Sequence, residues 1–268
     1  MYSCQISNYL DQFHEWETRN ICNENYLYSQ PSLSASMRSI LVDWLIDVSV
    51  HFEVCDSTLH IAVGLIDRVL GKLTVDRTRL QLVGVTCMKI ADVLNERSKE
   101  YYRQENSIEY AYITADEYTP AEVVQMEKQI LNLLGFKILT PTILSFMRPY
   151  QLALGIDEET AIVAAYLADL VLLSYETLKF KPSLLASAVL FLACSSTNRF
   201  PDLSANKVQP MYNKDEFASA VAHIRQVWLD ARTSPTISRY ESINQKFQAI
   251  NPRNLWPPSS NNNPWVYQ

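Results

Sequence analysis

The chain has 268 residues, enough for one large domain or for two of about 100 to 150 residues each, and two domains of one kind are expected. Its 48% hydrophobic content with only 5 glycines is an ordinary globular composition with a helical lean. A formal net charge of −6 argues against a nucleic-acid partner, because phosphate binding needs a concentrated basic surface; a partner protein or a small ligand fits better. Cys4, Cys22, Cys55, Cys87 and Cys194 form no CxxC pair and sit mostly in apolar helical stretches. They read as free thiols in a reducing, intracellular setting, nuclear or cytoplasmic, with neither disulfides nor zinc. The apolar runs at 161–173 and 184–194 are too short for a bilayer or are interrupted by Asp169, so no membrane segment or secretion signal is expected.

Residues 2–20 place Tyr2, Ile6, Tyr9, Leu10, Phe13 and Trp16 mostly 3 and 4 apart, which predicts an amphipathic helix with an aromatic stripe, docked on the following domain or on a partner. Pro31 then breaks the chain, and Ser34 or Ser36 caps a helix running to about Phe52. At 100° per residue, Met37, Ile40, Leu41, Trp44 and Val48 form one apolar stripe of this helix. Val42, Leu45 and Ile46 form another on the opposite side, which leaves a narrow polar strip at Ser39, Asp43 and Asp47. A helix apolar on two sides is central to its domain. Arg38 falls inside the second apolar sector, so it needs a buried carboxylate from elsewhere.

Asp56 or Ser57 caps the next helix, about 58–71, with Leu59, Val63, Ile66 and Leu70 inward; Asp67 lies near that face and is the candidate partner of Arg38. His60 reads as a core histidine, since no Cys or His stands at metal-binding spacing. A third helix, about 76–94, carries small residues at Gly84, Cys87 and Ala91, so neighbouring helices can approach it closely. The polar stretch 95–112 reads as a surface excursion, partly helical. Thr119-Pro120-Ala121-Glu122 is a capping box that opens a helix to about Leu134, and Gly135 ends it. Thr140-Pro141 starts another that stops near Gly155.

The second half repeats the plan: helices at about 157–175, then from Pro182 with Ala186, Ala188 and Ala193, then near 215–231 and 236–249, followed by a Pro-, Asn- and Ser-rich tail from Asn251 that reads as extended or disordered. The expected architecture is all-α, two tandem five-helix units behind an N-terminal helix, divided as 1–30, 31–138, 139–250 and 251–268. Phosphate-cradling glycine loops, GxSxG, HExxH and paired-cysteine metal sites are all missing, and four scattered histidines make no catalytic cluster. Neither an enzyme nor a bound cofactor or metal is expected.

The string MRSILVDWL (37–45) resembles the cyclin-box signature of A- and B-type mitotic cyclins, regulatory subunits of cyclin-dependent kinases. TLHIAVGLIDRVL (58–70), RLQLVG (79–84), YITADEYT (112–119) and MEKQILNLLGFKI (126–138) follow in the family's order. The resemblance implies two tandem cyclin folds and the buried Arg38 and Asp67 pair. It implies a kinase-binding surface of Tyr2, Ile6 and Tyr9 with Ile90, Leu94, Glu96, Glu127, Leu131 and Phe136, pressing on a PSTAIRE-type helix so that the kinase's Glu and Lys pair. It further implies a docking patch for RxL motifs at Met37, Ile40, Leu41 and Trp44, flanked by Asp47 and Gln81.

One departure stands out. Where the family has a lysine that grips the kinase together with the match of Glu127, this chain has Val93. Lys89, one turn earlier on the same face, or Arg97 or Lys99 of the excursion, is expected to replace it. A cyclin-fold adaptor that binds substrates without activating a kinase is the alternative; a cyclin-fold transcription factor is disfavoured by the acidic balance. RTRL (77–80) matches a loose destruction-box pattern at the start of a packed helix and reads as accidental.

Overall fold

A computed structural model describes residues 2–19, 23–95, 106–199, 212–233 and 240–250; of 2–7 and 106 it describes the backbone alone. The described residues form helices and connecting turns, with no strand among them. They divide into two compact units, 20–142 and a second composed of Met1–Arg19 with Ile143–Gln268.

The first unit comprises α2 (Ala35–His51), α3 (Asp56–Leu70), α4 (Leu80–Asn95), α5 (Asn106–Tyr112) and α6 (Pro120–Leu133). Ser34 caps α2, its hydroxyl accepting from Met37 N at 3.3 Å. This satisfies one of the amides that a helix start leaves open. The centre is α4, packed against α2, α3, α5 and α6. Its small residues allow this: a Cβ on Gly84 would stand 2.7 Å from Leu41 Cδ1, so any larger residue there would force the Leu41 side chain to shift. Residues 77–79, predicted as the start of α4, form a separate 3-10 turn. The Thr119 capping box is complete, with Glu122 N donating to Thr119 Oγ1 and Thr119 N to Glu122 Oε2. After α6 both Gly135 and Phe136 are left-handed, with φ of 56° and 59°.

The second unit comprises α1 (Tyr2–Arg19), α7 (Ile143–Leu154), α8 (Glu158–Leu172), α9 (Pro182–Thr197), α10 (Lys214–Thr233) and α11 (Glu241–Lys246). The most apolar helix, α9, lies at its middle against α7, α8 and α10. The aromatic stripe of α1 packs on α7, with Phe13 edge-on to Phe146 at 6.1 Å and His14 at 4.9 Å from the same ring. The N-terminal helix, predicted over residues 2–20, spans Tyr2–Arg19 and belongs to this unit. Of the helix expected at 236–249, residues 236–239 lie outside the described residues and the rest forms Glu241–Lys246 followed by a 3-10 turn at Gln248–Ile250; the tail from residue 251 also lies outside them.

The internal repeat is legible in α3 and α8. Both have 15 residues, and Thr58, Ala62, Leu65, Asp67, Val69 and Leu70 recur at equal places as Thr160, Ala164, Leu167, Asp169, Val171 and Leu172. Both aspartates are 2% exposed.

Candidate partner-binding site

The first unit is held shut by a buried ion pair. Arg38 Nε donates to Asp67 Oδ1 at 2.6 Å and Arg38 Nη2 to Asp67 Oδ2 at 2.7 Å, the two-point geometry that an arginine fork and a carboxylate favour. Tyr26, fully buried in the turn before α2, adds its hydroxyl to Oδ1 at 2.8 Å. Burial opposes the guanidinium charge, but the adjoining Asp67 carboxylate outweighs it and holds the Arg38 pKa above its ordinary value. Gln30 extends the lock, donating to Leu70 O and Leu73 O and accepting from Val75 N. The same apolar surroundings push the Cys87 thiol far above its usual range, so this cysteine behaves as a small hydrophobe.

With Arg38 anchored, the other face of α2 turns outward. Ile40 is 56% exposed, Met37 and Trp44 are half-buried, and Asp47 is exposed beside them; Gln81 at the start of α4 is half-buried. Leu41, predicted in the same patch, is 6% exposed because its methyl groups pack on Gly84. Ser39 and Asp43, read as a polar strip, are buried in the unit.

On α4 and α6, Lys89 Nζ and Glu127 Oε2 are 2.7 Å apart, with side-chain exposures of 6% and 23%. The carboxylate faces solvent more than the ammonium does. Val93, one turn beyond Lys89, is 44% exposed, Leu94 and Leu131 are half-buried, and Phe136 is 69% exposed. Ile90, predicted on this surface, is 3% exposed and belongs to the core, because α4 is packed on nearly every side. The predicted contact Glu96, and Arg97 and Lys99, lie outside the described residues, as do the side chains of Tyr2 and Ile6; Tyr9 is 42% exposed on α1, stacked on Phe13 at 4.3 Å.

Sequence reasoning missed the left-handed backbone at Phe136 and a second set of buried ions, Lys246 Nζ on Asp169 Oδ2 at 2.7 Å. Among the described residues no group of three or more His, Cys, Asp or Glu could hold a metal ion, and no helix is long and apolar enough to cross a membrane.

Comparison with known proteins covers most of the chain. Residues 8–139 match the cyclin N-terminal domain and residues 141–253 the cyclin C-terminal domain. The G2/mitotic-specific cyclin-A of Patella vulgata is 36% identical over 248 residues, covering 92% of this chain and 57% of that one. Cyclin-B2-2 of Oryza sativa subsp. indica is 35% identical over 217 residues, covering 79% of this chain and 50% of that one. This chain thus spans about half the length of these relatives. The X-ray structure of a viral cyclin from herpesvirus saimiri superposes with a TM-score of 0.62 at 16% identity, covering 90% of this chain and 97% of that one, and shows the same fold. By its two domain matches and its mitotic relatives, the chain belongs to the cyclin family.

Proposed function

We propose that the chain is the regulatory subunit of a cyclin-dependent Ser/Thr protein kinase in cell-cycle control, and that it activates the kinase by contact without chemistry of its own. The observation that carries this reading is Phe136, a bulky aromatic kept 69% exposed in a left-handed backbone on the unit that also presents the Glu127 carboxylate. Such a conformation is unfavourable for a residue with a Cβ, and exposure of the ring is unfavourable in water; a protein partner that covers the ring accounts for both. The activating face of the first unit would combine Phe136, Leu131, Leu94, Lys89 and Glu127. Such a face acts by shifting the kinase between two arrangements, which requires tighter binding to the active one.

The patch of Met37, Ile40 and Trp44 with Asp47 supports a second role in the same reading, capture of RxL motifs. An apolar side chain fits the half-buried tryptophan while the motif's arginine meets the exposed aspartate. Recovery of the protein from its source cells, followed by a kinase assay on the co-purified material, tests the whole reading. Kinase activity that depends on the protein is the expected result. Bound substrates without kinase activity would favour the adaptor alternative, which Val93 in place of the family's lysine keeps in view.

A further inference from the structure

The second unit contains a helix start that its own neighbouring residues cannot cap. Lys181, at the N-cap of α9, has no acceptor in its side chain, and Pro182 follows at the first helical position. The Ser183 amide and hydroxyl are nevertheless satisfied from another helix. Ser183 N donates to Glu17 Oε2 at 3.1 Å and Ser183 Oγ to Glu17 Oε1 at 2.6 Å, across a separation of 166 residues. The serine is fully buried and the glutamate side chain is 2% exposed.

The surrounding groups hold that carboxylate in place. His14, one turn earlier on α1, points Nδ1 at Glu17 Oε1 at 3.0 Å, and its Nε2 lies 3.5 Å from the Tyr150 hydroxyl of α7. The Ser183 hydroxyl hydrogen is committed to Glu17, so the Tyr212 hydroxyl donates to Ser183 Oγ. Burial, and next the Glu17 charge, push both phenols up, Tyr150 to about 12. Both stay protonated and able to donate. A charged carboxylate at the positive end of a long helix, within hydrogen-bond reach of an amide, a hydroxyl and an imidazole, fixes both the rotation of α1 and its position along its axis.

We propose that Glu17 is a positioning residue: by capping α9 it sets α1 on the second unit and so presents Tyr9, two turns away on the same helix, to the kinase. Tyr9 stacks on Phe13, which packs on Phe146, so a shift of α1 moves the ring that is 42% exposed. The inference rests on the reading of α1 as part of the kinase-facing surface. Glu17 itself is buried, at 6% exposure, so it acts through α1 and not by direct contact.

The test is a thermodynamic cycle on the whole chain with a recombinant cyclin-dependent kinase that carries a PSTAIRE helix. Tyr9→Ala and Glu17→Ala should each weaken association about fivefold, and the double variant no more than either alone, because an unset α1 no longer presents Tyr9. Hydrogen exchange of the free chain gives the second arm. Amides of α1 should exchange at least tenfold faster in Glu17→Ala, with α3 and α4 of the first unit unchanged; Glu17→Gln, which keeps the shape and loses the charge, serves if the alanine variant does not fold. Unchanged α1 exchange, or losses that multiply in the double variant, would overturn the proposal. A wild-type chain that binds no kinase would instead remove the kinase reading, and the exchange arm would still decide whether Glu17 sets α1.

Discussion

Lys89 on α4 and Glu127 on α6 share a 2.7 Å ion pair in which the lysine is nearly buried and the glutamate is not. The asymmetry makes the two substitutions unequal. Glu127→Ala leaves an ammonium with little water, and should cost about 2 kcal/mol, between the values of exposed and buried pairs. Lys89→Met keeps the stem and removes the charge, so it should cost less than about 1 kcal/mol. Both should lower kinase association at least tenfold, about 1.4 kcal/mol, if the pair fixes the carboxylate for the partner. Chemical denaturation and titration calorimetry measure the two effects separately. A Lys89→Met chain with full kinase affinity would show that the lysine serves α6 alone.

Asp67→Ala strands the buried Arg38 guanidinium and also removes the acceptor of the Tyr26 hydroxyl, so a loss of about 3 to 5 kcal/mol is expected. Tyr26→Phe, which spares the ion pair, should cost about 1 kcal/mol. Asp76→Ala, at the exposed turn before α4, is the control. Melting temperatures in that order of loss, Asp67 far ahead, are the expected outcome.

The lock around Asp67 was legible in the sequence because Arg38 is a charge inside an apolar sector, and such a charge demands a partner. Its counterpart in the second unit was not. Asp169 registered as an interruption of an apolar run, and Lys246, 77 residues on, lies in a short helix whose pattern singles out no residue. Glu17 was equally silent: on an amphipathic helix it looks like one more solvated acid, and nothing local indicates that a serine 166 residues later will bury it. Ile90 illustrates the converse, a residue assigned to the surface by resemblance and withdrawn from it by packing around α4. Local periodicity thus gave the elements, while contacts between distant stretches decided the charges.

Phe136→Gly separates stability from function. Glycine relieves the left-handed backbone, worth about 1 kcal/mol, and removes a ring that is 69% exposed, so the melting temperature should rise. Kinase association should fall by about tenfold or more if the ring is a contact residue. A stabilised chain with unimpaired association would mean that the exposed ring serves some other partner.

Trp44→Ala should weaken binding of an RxL peptide by about 2 kcal/mol while kinase association stays largely intact, as read by fluorescence polarisation and pull-down. Loss of both together would make the half-buried tryptophan a support of α2.

The second unit should also respond to pH through His223. Its Nε2 lies 3.3 Å from Ser174 Oγ and from Thr177 Oγ1, and burial, with Lys179 adding to it against Glu176, holds its pKa below the ordinary 6.5. The unfolded chain therefore takes up the proton first. The contribution to stability is complete above about pH 6.5, begins to be lost as the pH falls below that value, and is gone below the folded-state pKa. Thermal melts between roughly pH 7.5 and 5.5 should show a decline that His223→Gln makes shallower.

The second unit is assembled from two pieces of chain with the whole first unit between them. Its Glu17 and Ser183 clasp closes a loop of 166 residues, against 29 for Arg38 and Asp67, and the longer closure costs about 1.5 kcal/mol more in chain entropy. The order of synthesis sharpens the difference. Residues 20–142 emerge as one contiguous block and can fold as soon as they are made, whereas α1, made before them, must wait for the partners of Phe13 and Glu17 until α7 and α9 exist. The nascent chain therefore carries an unsatisfied aromatic helix through the entire synthesis of its neighbour, and that interval is when a chaperone would find it.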